Sequence, residues 1–213
     1  MANAIQKQNF INRVWNAIQT TGTGGLFPSV IIAQAALESG WGESLLAKQY
    51  NNYFGMKKGS GVNYGGWNGQ TVTLKTGEVF NGQPCTINGV FRRYASLEES
   101  ILDHNGLLCK LSRYKPCLSA STPEEQIIAI KNGGYATATS YVQSVMSVIN
   151  SNDLTRFDST SPTPGTQGNT TTTTTQTFSS KKKVYKMNTR TLSIIILAAG
   201  LALAAVGGYN LIA

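Results

Sequence analysis

Residues 28–42 read Pro-Ser-Val-Ile-Ile-Ala-Gln-Ala-Ala-Leu-Glu-Ser-Gly-Trp-Gly. From Val30 to Leu37 only Gln34 is polar, so a helix here has no face suited to water and must run through a protein interior. Pro28 fits a first helical position and Ser39-Gly40 ends the run. Glu38 is then a carboxyl at the end of a buried helix, facing a glycine-rich turn. Desolvation disfavours its charged form, and a carboxyl that keeps its proton near neutral pH can act as a general acid.

A second apolar segment constrains the other end. Residues 191–213 carry no charge and are rich in Ile, Leu, Ala and Gly. As a helix they would span about 34 Å, enough to cross a bilayer core. Lys181, Lys182, Lys183, Lys186 and Arg190 precede them and no charge follows, so the positive-inside rule places the N-terminal part on the cytoplasmic side. Residues 159–180, with Pro162, Pro164, Gly165, Gly168 and a threonine run, have almost nothing to bury and read as a flexible linker. The expected organisation is a domain over 1–158, a linker over 159–180, a basic juxtamembrane segment over 181–190 and a transmembrane helix over 191–213. Residues 1–20 read as an amphipathic helix, with Ile11, Val14, Trp15 and Ile18 on one stripe, and not as a signal peptide.

Charge narrows the partners. All ten acidic residues and thirteen of the eighteen Lys and Arg precede Ser159, which leaves that part at +3; the basic segment before the apolar tail supplies the other +5. A mildly cationic domain suits an anionic polymer, whereas the absence of a dense basic stripe or binding module argues against nucleic acid. Cys85, Cys109 and Cys117 are an odd number at no metal spacing, so free thiols are expected, with a Cys109–Cys117 bridge left open. No metal and no cofactor are expected.

The domain reads as α+β and mostly helical. A short helix is expected over 43–49, a loop over 51–69, and a hairpin within 71–94 with Asn81-Gly82 as its turn. Ser96-Leu97-Glu98-Glu99 is a capping box opening a helix to about 111. Thr122-Pro123-Glu124-Glu125 opens another, which Asn132-Gly133-Gly134 closes, and a last helix covers 141–150.

Cleavage of a glycosidic bond commonly uses a second carboxyl beside the acid. Glu43, Glu98, Glu99, Glu124 and Glu125 are accounted for by helix N-termini, where negative charge is favoured. Asp153 and Asp158 sit at the domain's end and Asp103 lies within a helix. That leaves Glu78, on the hairpin just before its turn, as the partner of Glu38. His104, the only histidine, is expected in a core or capping role, and Trp15 and Trp41 in the core.

The stretch from Pro28 to Lys57, with Ala-Gln-Ala-Ala-Leu-Glu-Ser-Gly-Trp-Gly and Asn51-Asn52-Tyr53-Phe54-Gly55-Met56-Lys57, resembles glycoside hydrolase family 73, the peptidoglycan N-acetylglucosaminidases. The hairpin with its Glu and Asn-Gly, then Phe91-Arg92-Arg93-Tyr94-Ala95-Ser96, Asp103-His104 and Gly134-Tyr135-Ala136-Thr137 follow in order. The likeness covers roughly residues 5–155. It implies a lysozyme-like helical core with one β-hairpin arm beside the groove. It also implies Glu38 as general acid, Glu78 as second carboxylate, Tyr135 beside the catalytic glutamate, and Asn52, Phe54 and Trp67 along the sugar groove. The glycine-rich 59–69 stretch departs from the family's pattern.

The expected function is hydrolysis of the β-1,4 bond after N-acetylglucosamine in peptidoglycan. The alternatives are a lytic transglycosylase or muramidase on the same core, or a wall-binding protein that does not cut. The expected partners are glycan strands and, through the C-terminal helix, a lipid bilayer. A cell-wall enzyme tethered on the cytoplasmic side poses a topological puzzle. A membrane-containing bacteriophage resolves it, with the anchor in the viral inner membrane; a bacterial cytoplasmic membrane is the other location.

Overall fold

The computed structural model describes residues 2–80 and 83–160, without the side chains of 78–80, 83–85 and 160, and the backbone of 196–197 and 201–202. Helix α1 (Ala4–Thr21) opens on a complete capping box between Asn3 and Gln6, and buries Phe10, Ile11, Val14, Ala17 and Ile18 along one face. Trp15 lies at the edge of that stripe, its ring 4.8 Å from that of Phe157. Helix α2 (Pro28–Ser39) has eleven of its twelve residues buried, and only Leu37 is partly exposed. Helix α3 (Leu45–Tyr50) starts two residues later than expected, because Ser44 and not an earlier residue caps it. Glu43 therefore lies ahead of the cap and instead pairs with Lys48 at 2.5 Å.

Strands β1 (Thr71–Phe80) and β2 (Gln83–Arg92) form the hairpin, antiparallel from Thr71 opposite Arg92 to Phe80 opposite Gln83. That register leaves two residues for the turn, as Asn81-Gly82 implies; those two lie outside the described residues. Helix α4 (Leu97–Lys110) is capped by the Ser96 side chain, which accepts from Glu99 N–H. The reciprocal half of the expected box is displaced by one residue: the Glu99 carboxylate accepts from Ala95 N–H at 2.8 Å. A 3-10 helix over Ser112–Ser119, containing Pro116, was not expected. Helices α5 (Pro123–Asn132) and α6 (Tyr141–Ser151) fall where the Thr122 cap and the apolar spacing put them. A second 3-10 helix, Leu154–Thr160, ends the body.

The central helix packs against α1, α5, α6 and this last segment. Its own N-cap residue, Phe27, offers no side-chain acceptor. Asp158 supplies one from the far end of the domain. Its two oxygens accept from Ser29 N–H and Ser29 Oγ, each at 2.8 Å. A carboxylate there meets unpaired N–H groups and the positive end of the helix dipole.

The 51–69 loop is held against α4 by close backbone contact. A Cβ on Gly106 would lie 2.2 Å from the Tyr64 carbonyl oxygen, and one on Gly66 only 2.0 Å from that of Glu99. Glycine at these positions is a packing requirement. The same loop is pinned by a buried ion pair. Asp103 accepts from Arg92 Nη1 at 2.6 Å, Tyr94 OH at 2.7 Å and Tyr64 N–H at 3.0 Å. Arg92 in turn donates to the carbonyls of Lys57, Lys58 and Val62. Asp103 is thus the anchor of the hairpin base and not a plain helix residue.

Cys109 and Cys117 are free thiols, so the bridge between them does not form; the Cys85 side chain lies outside the described residues. Among the described residues no helix is long and apolar enough to cross a membrane. The transmembrane helix expected over 191–213 lies outside them except at β3 (Ile196–Leu197) and β4 (Leu201–Ala202), which pair antiparallel and so are extended, not helical, at those four positions. The linker beyond residue 160 and the basic segment over 181–190 also lie outside.

Candidate active site

The turn after α2 fixes the backbone beside Glu38. The Ser39 hydroxyl donates to Ala35 O at 2.6 Å and accepts from Gly42 N–H at 2.7 Å. Gly40 is left-handed at φ 59°, and Trp41 N–H returns to Ala36 O at 2.8 Å. Trp41 is itself left-handed at φ 64°, a conformation that costs a side-chain-bearing residue roughly 1–2 kcal/mol. An edge-to-face contact with Phe10 and the Lys7 ammonium 5.0 Å above the indole hold it there.

Glu38 is 4% exposed, and neither carboxyl oxygen has a hydrogen-bond partner. Burial alone pushes its pKa well above the usual carboxylate range. A dry site with no donor to stabilise the anion favours the protonated form.

Two phenols adjoin this acid. Tyr135 and Tyr141 are fully buried, and both have their pKa raised by burial first and by the Glu38 charge second. Tyr141 OH accepts from Gln34 Nε2 at 2.7 Å. Gln34, the lone polar residue in the apolar run, is therefore there to hold a phenol. Tyr114 packs edge-on to Tyr135 at 6.4 Å. Tyr135 OH lies 3.1 Å from His104 Nε2, and the imidazole stacks on Phe54 at 3.9 Å. Burial lowers the His104 pKa to about 4, so the ring is neutral. His104 is a core residue, as expected, but one that bonds to a phenol that feels the acid's charge.

The structure brings Glu38 and Tyr135 together. The three expected groove residues are all buried. Asn52 is buried and fully engaged: its amide donates to Met56 O and Arg92 O and accepts from Met56 N–H. Phe54 is wholly enclosed beneath His104. Trp67 donates to Gln70 O at 2.6 Å and covers the Arg92 guanidinium at 4.3 Å. These side chains build the underside of the loop, and none offers an open face to a sugar. Glu78 lies on β1 opposite Cys85, seven positions along the arm from Thr71; its side chain lies outside the described residues.

An open cleft of about 280 Å³ runs between the 56–64 loop and the end of α4, lined by Met56, Lys57, Tyr64, Leu107, Leu111 and Arg113 among others. Arg113 and Tyr64 flank Tyr114, so the cleft adjoins that phenol. Among the described residues no cluster of three or more His, Cys, Asp or Glu could hold a metal.

A mostly helical body, a two-stranded arm and an enclosed carboxyl closing the central helix define a lysozyme-like glycoside hydrolase domain. Residues 15–154 match the glucosaminidase family, described as mannosyl-glycoprotein endo-beta-N-acetylglucosaminidase, and the chain belongs to that family, glycoside hydrolase family 73. It is 37% identical over 142 residues to the exo-glucosaminidase LytG of Bacillus subtilis, covering 64% of this chain and 48% of that protein. It is 35% identical over 124 residues to the peptidoglycan hydrolase FlgJ of Salmonella typhimurium, covering 56% and 38%. A probable N-acetylmuramidase of Lactococcus lactis is 37% identical over 145 residues, covering 64% and 31%. The chain thus spans less than half the length of these curated relatives. Among solved structures, the catalytic domain of the autolysin Auto from Listeria monocytogenes superposes with a TM-score of 0.63 at 34% identity, covering 74% of this chain and 90% of that one.

Proposed function

We propose that the chain hydrolyses the β-1,4 bond after N-acetylglucosamine in peptidoglycan, with Glu38 as the general acid. The observation that carries this reading is the Glu38 carboxyl, buried at the end of α2 with both oxygens free of donors. It retains a proton at neutral pH and gives it to the leaving glycosidic oxygen. Glu78 is the second carboxylate, delivered when the hairpin arm folds over the cleft, where it activates water or stabilises the oxocarbenium-like transition state. The basic lining of the cleft suits an acidic wall polymer. The apolar 191–213 segment and its basic flank tether the enzyme to a bilayer, and a membrane-containing phage particle is the setting that places such a tether within reach of the wall.

The test is the full chain on purified peptidoglycan beside Glu38→Gln. New reducing ends from the parent, and at least a hundredfold fewer from the variant, are expected on the usual scale of general-acid catalysis. Equal activity of the two sinks the assignment. The lactococcal relative named as a muramidase, at the same 37% identity as LytG, makes muramic-acid cleavage the second reading. Mass spectrometry of the fragments decides: reducing N-acetylglucosamine ends support the first, muramic ends the second. Fractionating particles and host envelope tests the tether; recovery in the soluble fraction refutes it.

A further inference from the structure

The positive charge of the domain is concentrated around one concavity. The 56–64 loop and the 107–115 segment, which border the open cleft, carry Lys57, Lys58, Lys110, Arg113 and Lys115 and no acidic residue. The rest of residues 1–158 carries eight Lys and Arg against ten Asp and Glu, so without these two walls the domain would be acidic. A field of one sign around a cleft gathers ligands of the other sign. Arg92 also lines the cleft, but Asp103 already neutralises it. Arg113 differs. It is exposed, its guanidinium lies 4.8 Å from the centre of the Tyr114 ring, and among the described residues no carboxylate pairs with it. A guanidinium laid on a ring keeps N–H donors for a planar acceptor such as a carboxylate. Lys110 Nζ donates to the Tyr64 carbonyl and sets a second charge beside the cleft. Between the charges the lining is apolar, from Met56, Leu107 and Leu111. Gly59, left-handed at φ 54°, would place a Cβ with nothing within 4 Å, so a ligand's backbone can approach there. The space of about 280 Å³ is at the small end for ligand sites and takes a short segment.

We propose that this cleft is a subsite for the carboxylate-bearing peptide stems of the wall polymer, with Arg113 as the residue that grips the carboxylate. The proposal rests on peptidoglycan as the substrate, and not on the role of Glu38. The glycan itself offers this cleft no charge. N-acetylglucosamine has no ionisable group, and the muramic carboxyl is consumed in its amide bond to the peptide. Negative charge next to the glycan therefore sits on the free carboxylates of the stem. Stem peptides also carry alanine methyl groups, which suit the Met56, Leu107 and Leu111 lining. A phosphodiester chain matches the charge but brings no aliphatic side chain to that lining. The glycine-rich 59–69 stretch, which departs from the family's pattern, thereby gains a role, since Gly59 and Tyr64 belong to one wall of the subsite.

Calorimetric titration of the full chain carrying Glu38→Gln tests this without turnover. The probe is the sugar-free dipeptide N-acetyl-L-alanyl-D-glutamate at low salt, beside its diamide, which keeps the shape and loses the charge. The dipeptide should bind about tenfold more tightly than the diamide, and Arg113→Gln should abolish most of that difference, on the scale of a hydrogen bond to a charged group. Arg156→Gln removes the same charge outside both walls and should change the affinity by less than about twofold. No binding at millimolar dipeptide, equal affinity for dipeptide and diamide, or an equal loss in the two arginine variants overturns the proposal. Displacement of the dipeptide by N-acetylglucosamine oligomers overturns it in favour of a glycan site. Tighter binding of glycerol phosphate, with the same dependence on Arg113, overturns it in favour of a phosphodiester polymer. Absence of turnover in the parent would refute the hydrolase reading, while the titration would still decide the subsite.

Discussion

Asp103→Ala removes the acceptor from a fully buried guanidinium. The Arg92 side chain is 3% exposed and that of Asp103 not at all, so no solvent replaces the lost carboxylate. Three donors are stranded together: Arg92 Nη1, Tyr94 OH and Tyr64 N–H. Breaking a buried pair from one side costs about 3–5 kcal/mol, chiefly for the charge left behind. Each kcal/mol lowers Tm by about 2–4 °C in a domain of 150 residues or more, so a fall of about 6–20 °C is expected in thermal unfolding followed by circular dichroism at neutral pH. Arg92→Met with Asp103→Leu removes both charges and fills the space with apolar side chains. It should recover most of the loss, because apolar replacement of a whole buried pair is often neutral. A single-variant loss below about 1 kcal/mol, or a double variant no more stable than the single, would refute the stranded-charge reasoning.

Three further outcomes follow from other parts of the fold. The Glu38 pKa is raised in the folded state, so its contribution to stability is intact below the unfolded carboxylate value, near pH 4, and is lost as pH rises above it. Glu38→Gln should therefore match the parent in urea titrations near pH 4 and exceed it increasingly toward neutrality; a gap independent of pH contradicts the burial argument. Asp158→Ala should cost about 0.5–2 kcal/mol by removing the α2 cap, read as a shift in the denaturant midpoint without a change in slope; an unshifted midpoint shows that water caps the helix equally well. Gly106→Ala forces a Cβ onto the Tyr64 carbonyl and should cost about 1–3 kcal/mol, with faster amide exchange in the 56–66 loop; unchanged exchange there means the loop is held elsewhere.

The helical body was legible because its signals are local. Thr122, Ser96 and Pro28 mark helix starts by their own chemistry, and the Asn81-Gly82 pair implies the register seen from Thr71 to Phe80. Glu38 was legible because a run of eight residues with one polar member has only one way to be buried. The contacts that were not legible act across long sequence separations. Asp158 lies 129 positions from Ser29, which it caps. Asp103, set aside as a helix residue, meets Arg92 on the hairpin and Tyr64 in the loop. Asn52, Phe54 and Trp67 sit in a loop whose composition suggests a surface, and the close approach at Gly66 and Gly106 that holds this loop on α4 leaves no mark in that composition. His104 carried no periodic signal for its bond to Tyr135, since the two lie 31 positions apart.

The Asp158 clasp gives the chain beyond residue 160 a defined mechanical point of attachment. Tension along that chain enters through the segment 154–160 and reaches the body at Ser29, the start of α2. Glu38 stands at the opposite end of the same rod, about 13.5 Å away along the helix axis. A domain tugged through its C-terminus would therefore yield first at the clasp, and the rigid helix would keep the acid's surroundings unaltered until the segment peeled away. The point of traction and the point of chemistry share one helix, separated by nearly its whole length.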